Sequence, residues 1–352
     1  MSCHRLDLCA GSAEASQLSL PRCATSRGAA CDCLRGSTWL FLGDSVIRGV
    51  WSRLGQWLLE GEGIDIRRDA AMEALVAPHA RFTHYFTKLP LIEQWYVRHG
   101  VLATNRSAKA QMGLPDEASY AWRACGGDTR LVFKQLTKTR EFAGNKAGES
   151  KATRLIQSVV ASQPQGSGGV RLFLSFGLHD LDPAYGEAST DARHLALFRK
   201  SMVSVLHGLA GALQRPAAAS ASASGSAATA AASTSATAAA TAAAAAVPPP
   251  PQQQIVWLGY HPRIEERAPA AFRHIAATSQ SNRALRRLNR VAAGAARRQH
   301  AGFVDPSCLT RDAPVNSSAT FDGLHFDRRT DWRKAQLLLA HACAGWRGGS
   351  ER

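Results

Sequence analysis

The sequence predicts an α/β fold built on a mostly parallel sheet with helices on both faces. Short apolar runs, which are typical of buried strands, alternate with longer segments whose apolar residues recur every three or four positions, as in amphipathic helices. Strands that alternate with helices form parallel sheets, because each helix carries the chain back across one face. Ligands bind beyond the carboxyl ends of such strands, and the most distinctive polar residues of this sequence follow strand ends.

The first predicted strand is Thr38–Gly43, an apolar run that leads directly into Asp44 and Ser45. A helix is predicted after it, over 46–60, because the apolar residues there recur at helical spacing. The later elements follow the same two patterns. Strands are predicted at 82–89, 170–176, 255–259 and 302–304, and helices at about 191–213, in the Arg-rich segment that begins at 283, and at about 332–344.

A low-complexity segment interrupts the predicted domain. From Pro216 to Gln254 the chain is almost entirely Ala, Ser and Thr, followed by a proline run and glutamines. It has no apolar periodicity and nothing to bury, so we expect a disordered surface insertion. Residues 1–35 are expected to form a poorly ordered, cysteine-containing tail. The domain itself is expected to span 36–348, with enough apolar sequence for a sizeable core.

The chain is basic, with 42 Lys and Arg against 27 Asp and Glu and a net charge of +15. A basic chain suggests a nucleic-acid partner, but here the basic residues are scattered, with local density only between Arg283 and Arg298. Ala284, Leu285 and Leu288 give that segment a helical apolar face, which puts its arginines on the solvated side. The pattern argues against nucleic-acid binding and leaves attraction to anionic glycans or membrane surfaces open.

Cysteine spacing and hydropathy indicate whether the chain has a metal site, a membrane span or a signal peptide. Five of the eight cysteines precede residue 34, and Cys31-x-Cys33 has no second pair at zinc-site spacing, so no metal site is predicted. The sequence does not decide whether the cysteines form disulfides, since that depends on whether the protein is secreted. No apolar run reaches transmembrane length, and the N-terminus lacks the apolar core of a signal peptide.

The first candidate site is Gly43-Asp44-Ser45, at the predicted strand-to-helix turn. A serine there carries its hydroxyl at the sheet edge and a backbone N–H without an intrahelical acceptor. Such a serine can be both a nucleophile and an oxyanion donor. The alternative is a plain helix cap, because Asp and Ser are preferred at that position.

A base for this serine is supplied by Asp322-x-x-His325. A turn at Gly323 can place the carboxylate against one imidazole nitrogen and leave the other for a serine hydroxyl. The same spacing recurs at Asp191 and His194, which we discount because that pair falls inside a predicted surface helix.

Two further groups are candidates for an oxyanion hole. Gly177-Leu-His179 ends another predicted strand, so a donor from His179 would face the same crevice; a structural or capping role is the alternative. Gly127, in a glycine turn, could offer a backbone N–H, although a plain turn explains it equally well. Neither Walker spacing nor Gly-x-Gly-x-x-Gly occurs, so no phosphate-binding loop is predicted.

Together, the blocks at 41–48, 177–179 and 322–325 resemble those of SGNH/GDSL-type hydrolases, and more narrowly of the PC-esterase branch of glycan acyl-esterases and O-acyltransferases. In this order, the resemblance covers the chain from about residue 37 to residue 346. Arg48 is typical of that branch, and His179 stands where classical members have Asn. The resemblance implies a three-layer α/β/α sandwich with a flavodoxin-like sheet, in which Gly43, Asp44, Arg48 and Gly177 support the site.

The resemblance also implies an activity. Ser45 would attack an acyl ester of a carbohydrate or glycoprotein, with His325 as base, Asp322 as its partner, and the Ser45 and Gly127 N–H groups and His179 as oxyanion donors. No metal or organic cofactor would be needed. A glycan-binding module without catalysis, or a basic nucleic-acid scaffold, is the alternative. The resemblance suggests that the protein is located in the lumen of the secretory pathway. Because the N-terminus shows no signal peptide, the cytoplasm or a plastid is the alternative location.

Overall fold

The computed structural model describes residues 22–64, 68, 70, 91–112, 114–116, 118–143, 150–163, 167–181, 191–214, 254–311, 313–315, 320 and 322–344. The strand predicted at 82–89 lies outside these residues. So does the insertion predicted at 216–254, apart from Gln254. Both therefore stay predictions.

Within the described residues, the strands form one sheet of seven strands, and this sheet is mostly parallel, as predicted. Its order is β2-β3-β4-β1-β5-β6-β7; the pairs β2/β3 and β3/β4 are antiparallel and the others parallel. The neighbours of β1 in the sheet are therefore β4 on one side and β5 on the other, and both run in the same direction as β1. The strands are β1 (Thr38–Gly43), β2 (Leu102–Ala103), β3 (Tyr120–Ala124), β4 (Thr129–Gln135), β5 (Val170–Ser175), β6 (Ile255–Leu258) and β7 (Gly302–Val304).

Helices cover both faces of the sheet, which makes the fold a three-layer α/β/α sandwich. The helices α1, α2, α3, α4 and α10 contribute to the core on one face, and α6, α7 and α9 to the core on the other. The described helices are α1 (Arg22–Thr25), α2 (Arg27–Leu34), α3 (Ser45–Glu60), α4 (Leu91–Arg98), α5 (Arg106–Gln111), α6 (Lys151–Ala161), α7 (Ala192–Gln214), α8 (Arg273–Ala277), α9 (Asn282–Arg298) and α10 (Arg328–Ala342).

The central strand β1 is buried on both faces, which explains its uninterrupted apolar sequence. Trp39 and Phe41 face the α3/α10 side, where both pack against Phe173 of β5. Leu40 and Leu42 face the α6/α7 side. Because β1 is held from both sides, the turn that follows it starts from a fixed position.

The edge formed by β2, β3 and β4 was not predicted. The strands β3 and β4 form an antiparallel hairpin, closed by the turn Cys125–Gly127. Polar residues such as Arg123 and Arg130 interrupt the apolar pattern of these strands. The pattern therefore resembles neither a buried strand nor a helix.

The expectation of a poorly ordered tail over 1–35 is wrong for residues 22–34. These form α1 and α2, and Ala24, Ala30 and Leu34 are fully buried. Disulfides join the segment to the rest of the fold, from Cys31 to Cys125 and from Cys33 to Cys343. The remaining residues of the predicted tail, 1–21, lie outside the described part of the chain.

The Arg-rich helix α9 presents its arginines as expected. Its buried side consists of small and apolar residues, including Leu285 and Leu288, while Arg283, Arg286 and Arg290 are exposed. None of the helices in the described part of the chain is both long and apolar enough to cross a membrane.

Candidate active site

Ser45 is the first residue of α3, directly beyond the carboxyl end of β1. The turn requires Gly43, because a Cβ there would lie 1.9 Å from the carbonyl oxygen of Ser175 on the neighbouring strand. Asp44 caps the helix, with Oδ1 accepting from the Val46 N–H at 3.0 Å. Asp44 therefore occupies the capping role, and the hydroxyl of Ser45, which is half-buried, is left for another partner.

The second half of the site is the turn Asp322–His325, just before α10. Asp322 Oδ1 accepts from the backbone N–H groups of Leu324 at 3.0 Å and His325 at 2.8 Å. Gly323 has a left-handed φ of 78°, and a Cβ there would lie 1.9 Å from the Ile264 carbonyl oxygen, so this position needs glycine. The turn thus holds the Asp322 carboxylate and the His325 ring in fixed relative positions.

The structure brings Ser45, His325 and Asp322 into a hydrogen-bonded series, although Ser45 and His325 are 280 residues apart. His325 Nε2 lies 2.7 Å from Ser45 Oγ, and His325 Nδ1 lies 2.6 Å from Asp322 Oδ2. Nδ1–H donates to the carboxylate, which leaves Nε2 as the acceptor for the serine hydroxyl. This geometry can remove the proton from a serine nucleophile.

Asp322 is held in its charged form. Burial opposes ionisation, but the hydrogen bonds from the His325 ring and from two backbone N–H groups outweigh it and lower the pKa of the Asp322 carboxyl below its usual range. A carboxylate that stays charged can stabilise an imidazolium at His325.

His179 lies at the same edge of the sheet, in the turn after β5. It is exposed, and Gly177, at a left-handed φ of 109°, turns the chain before it. Asp180 fixes this turn to the loop after β4 by accepting from the Thr139 N–H at 2.8 Å and from its hydroxyl at 2.5 Å. Burial raises the pKa of Asp44, and the hydrogen bond from the Tyr260 hydroxyl acts in the opposite direction.

The prediction that Gly127 contributes an oxyanion donor is wrong. Gly127 precedes β4, and β4 runs parallel to β1 with Arg130 beside Thr38 and Gln135 beside Gly43. Gly127 is therefore at the amino end of β1, at the opposite edge of the sheet from Ser45. The loop that does reach the Ser45 edge follows β4, where the Leu136 N–H donates to the Gly43 carbonyl at 2.9 Å.

Tyr260 supports the nucleophile turn and was not predicted. Its hydroxyl donates to Asp44 Oδ2 at 2.5 Å and accepts from the Leu178 N–H at 3.3 Å, so it joins the turns after β1 and β5. Asn289 of α9 binds both the N–H and the carbonyl of Tyr260. The only sequence signal was its place directly after a predicted strand.

His261 supports the Asp322–His325 turn. Its Nε2–H donates to the Leu324 carbonyl at 2.8 Å, and its ring packs edge-on against Phe326. Burial, followed by the nearby charge of Lys334, lowers the pKa of His261 well below its usual value, so the ring is neutral. His261 also lines a small cavity together with Ser45 and His325.

Arg48 lies one turn after Ser45 on α3 but extends away from it. Its guanidinium forms a buried ion pair with Glu93 of α4, with Nη2 3.1 Å from Oε2, and lies over the Tyr120 ring. Arg48 thus acts on the position of α3 and makes no contact with the reacting atoms of Ser45.

The discounted pair also forms a hydrogen bond, with His194 Nδ1 3.0 Å from Asp191 Oδ1. Both side chains are exposed at the start of α7, by 43% and 49%. His325 and Asp322 are exposed by only 17% and 15%. Burial, more than spacing, distinguishes the two pairs.

No family model matches the chain, and no curated protein matches it. Among solved structures, the chain is similar to a mutant of Axe2, an acetyl-xylooligosaccharide esterase from Geobacillus Stearmophilus. That alignment has 13% sequence identity and a TM-score of 0.37, and covers 91% of this chain and 100% of the other. A likeness this distant carries no functional argument, so the assignment of a function depends on the residues of this chain.

Proposed function

We propose that this protein is a serine-dependent acyl esterase. The observation that carries the proposal is the series Ser45–His325–Asp322, whose two hydrogen bonds are 2.7 Å and 2.6 Å long. A serine beside a histidine that is itself oriented by a carboxylate is the arrangement that nucleophilic acyl transfer requires. A helix cap would not need it, since Asp44 already caps α3.

In the acylation step, Ser45 Oγ attacks the ester carbonyl carbon as His325 Nε2 takes the hydroxyl proton. The tetrahedral intermediate carries one negative charge on the former carbonyl oxygen. When it collapses, the bond to the leaving alcohol breaks and His325 returns the proton to that alcohol. The acyl group remains on Ser45, and Asp322 stabilises the imidazolium in between.

In the second step an acceptor takes the acyl group. Water, deprotonated by His325, attacks the acyl-serine; the Ser45–acyl bond breaks, Ser45 recovers its proton, and a carboxylic acid is released. A sugar hydroxyl in place of water would give an O-acyltransferase. Every proton in this cycle moves between Ser45, His325 and the substrates, so no metal or organic cofactor is needed.

The proposed oxyanion hole contains the Ser45 N–H and the His179 side chain. Ser45 is at the first position of α3, where backbone N–H groups have no intrahelical acceptor and favour negative charge. His179 reaches the same edge from the turn after β5. A neutral histidine can donate only from the nitrogen that carries its proton, so this role fixes its tautomer.

The proposed substrates are acylated carbohydrates or glycoproteins. This part of the proposal rests on the sequence resemblance to the PC-esterase branch, and the basic character of the chain suits acidic polymers. The proposed catalytic unit spans 36–348, to which we add α1 and α2 because they are part of the same core.

Fluorophosphonate labelling of the purified protein tests the proposal. The reagent reacts preferentially with activated serines, so we expect labelling of the wild-type protein and none of Ser45→Ala. His194→Ala is the matched control and should label normally. A wild-type protein that resists the reagent, or a Ser45→Ala protein that still labels, would refute the assignment. Incubating an acyl donor with and without a sugar acceptor then separates hydrolysis from transfer.

A further inference from the structure

Arg263 lies against the Asp322–His325 turn, in the loop that follows β6. Its neighbour Ile264 donates a backbone hydrogen bond to the Gly323 carbonyl at 2.8 Å. Asn282 fixes the Arg263 backbone from the other side: its Oδ1 accepts from the Arg263 N–H at 2.7 Å, and its Nδ2 donates to the carbonyl at 2.9 Å. The position of Arg263 beside the proposed active site is therefore set by its backbone.

Within the described residues, the Arg263 guanidinium has no counter-ion in direct contact. The residue is only 6% exposed, its Nε is buried without a hydrogen-bond partner, and no carboxylate of the described chain forms an ion pair with it. Burial lowers the pKa of Arg263, and the charges of Asp322 and Glu265 only partly compensate. Buried charges are normally paired, so a buried guanidinium without a carboxylate partner is suited to bind an anionic ligand.

The two nearby carboxylates are engaged elsewhere. Asp322 accepts from the His325 ring and from two backbone N–H groups. Glu265 Oε1 accepts from the Asn282 N–H at 2.6 Å. Other buried cations of the chain do have carboxylate partners: Arg48 binds Glu93 and Lys334 binds Asp331. Arg263 differs from them in having no such partner among the described residues.

We propose that Arg263 binds a carboxylate carried by the substrate, so that the preferred esters belong to acidic molecules such as uronic acids. This proposal rests on the proposed esterase function and adds the chemical class of its substrate. A guanidinium presents parallel N–H donors that match the two oxygens of a carboxylate, which a hydroxymethyl group does not. The carboxylate belongs either to the esterified sugar or to the acyl group, and both sources present the same chemistry.

The test compares ligands that differ only in this charge. Binding of methyl glucuronoside and methyl glucoside to the full chain is measured by ligand-observed NMR, which does not depend on turnover. We expect the glucuronoside to bind about tenfold or more tightly, and Arg263→Gln to remove the difference. Arg290→Gln, which removes an exposed arginine of α9, should retain it. Arg263→Lys keeps the charge without the planar donors and should lose most of the preference.

A second comparison covers a carboxylate on the acyl group, with mono-4-nitrophenyl succinate against 4-nitrophenyl butyrate. A preference for the charged member of either pair that depends on Arg263 supports the proposal. The proposal is overturned if the wild-type protein binds the two glycosides equally tightly and turns over the two nitrophenyl esters at equal rates. It is also overturned by an Arg263→Gln protein whose turnover of neutral and charged esters falls equally, because Arg263 would then only position Asp322. Glucuronoside binding without any ester turnover would refute the esterase function and keep the anion site.

Discussion

Single residues of the proposed site are fixed by neighbours that take no part in the chemistry. Tyr260 holds Asp44, and His261 holds the carbonyl of Leu324. These contacts leave Ser45 Oγ and the His325 ring little freedom to separate. At this scale, the structure supports three predictions.

The first prediction concerns the three proposed catalytic residues. We expect Ser45→Ala and His325→Ala each to lower the turnover of 4-nitrophenyl acetate to near background. Asp322→Ala should retain more activity, because removal of the orienting acid costs less than removal of the nucleophile or base. Initial rates of the purified variants decide this. His194→Ala serves as control, and comparable losses at both histidines would undo the assignment.

The second prediction concerns His179. If its ring donates to the oxyanion, His179→Ala should lower kcat about 100-fold, or about 2.7 kcal/mol, with little change in KM. His179→Asn should recover much of the loss, because a carboxamide N–H can occupy the same place. Both kinetic constants and the melting temperature are needed. An unchanged kcat in His179→Ala would leave backbone donors alone in the oxyanion hole.

The third prediction concerns the pH dependence of stability. An unfolded histidine takes up a proton below about pH 6.5. Burial holds the pKa of His261 well below that value, so the folded state stays neutral there. The unfolded state then binds more protons, and the free energy of unfolding falls as the pH is lowered from about 6.5, by about 1.4 kcal/mol per pH unit for this one group.

Denaturant titrations at pH 7, 6 and 5 measure this slope. His261→Gln, which can still donate to the Leu324 carbonyl, should reduce the slope of the free energy of unfolding against pH by the contribution of about one proton. An identical slope in His261→Gln would mean that the ring is already charged in the folded protein.

At the scale of elements, the helix that carries Ser45 is positioned by a buried charge pair. Arg48 of α3 and Glu93 of α4 have side chains exposed by 6% and 0%. Removal of one partner from a buried ion pair costs about 3–5 kcal/mol, whereas replacement of both partners by apolar residues is often neutral.

We therefore expect Arg48→Met and Glu93→Met each to destabilise the protein strongly, and the double variant to be more stable than either. Urea unfolding of the four proteins forms a double-mutant cycle. Arg53→Met, which removes a partner from the more exposed pair with Glu60, is the control and should cost less. Additive losses at Arg48 and Glu93 would show that the two charges do not depend on each other.

An element could be predicted from the sequence when its signal came from residues close together in the chain. The strand Thr38–Gly43, the helix after it and the Asp322–His325 turn depend on neighbouring residues, and the structure contains all three. The position of Gly127 depended on the direction of β4, which an apolar pattern does not encode. The contribution of Tyr260 could not be predicted either, because it contacts Asp44 across 216 residues of sequence.

Across the whole molecule, covalent links connect the first described helices to distant parts of the chain. Cys33 and Cys343 are separated by 310 residues, and Cys31 and Cys125 by 94. Disulfides persist in oxidising compartments, so we expect the native protein to mature in one.

The final prediction concerns the longer link. Replacing Cys33 and Cys343 together by Ser should lower the free energy of unfolding by about 2–5 kcal/mol, because the unfolded chain is no longer constrained. Urea unfolding with and without dithiothreitol provides the measurement. The reductant should destabilise the wild-type protein more than the double variant. An equal response in the two proteins would mean that the 33–343 link is not formed in solution.

The same link changes how the domain bears mechanical load. All seven described strands lie between Cys33 and Cys343, so tension applied at these two residues passes through the bond that joins them and bypasses the sheet. The hydrogen bonds between β1, β4 and β5 then carry none of that tension. A single molecule pulled at the residues next to 33 and 343 should resist extension while the bond is intact, and should lengthen by the whole sheet once the bond is reduced.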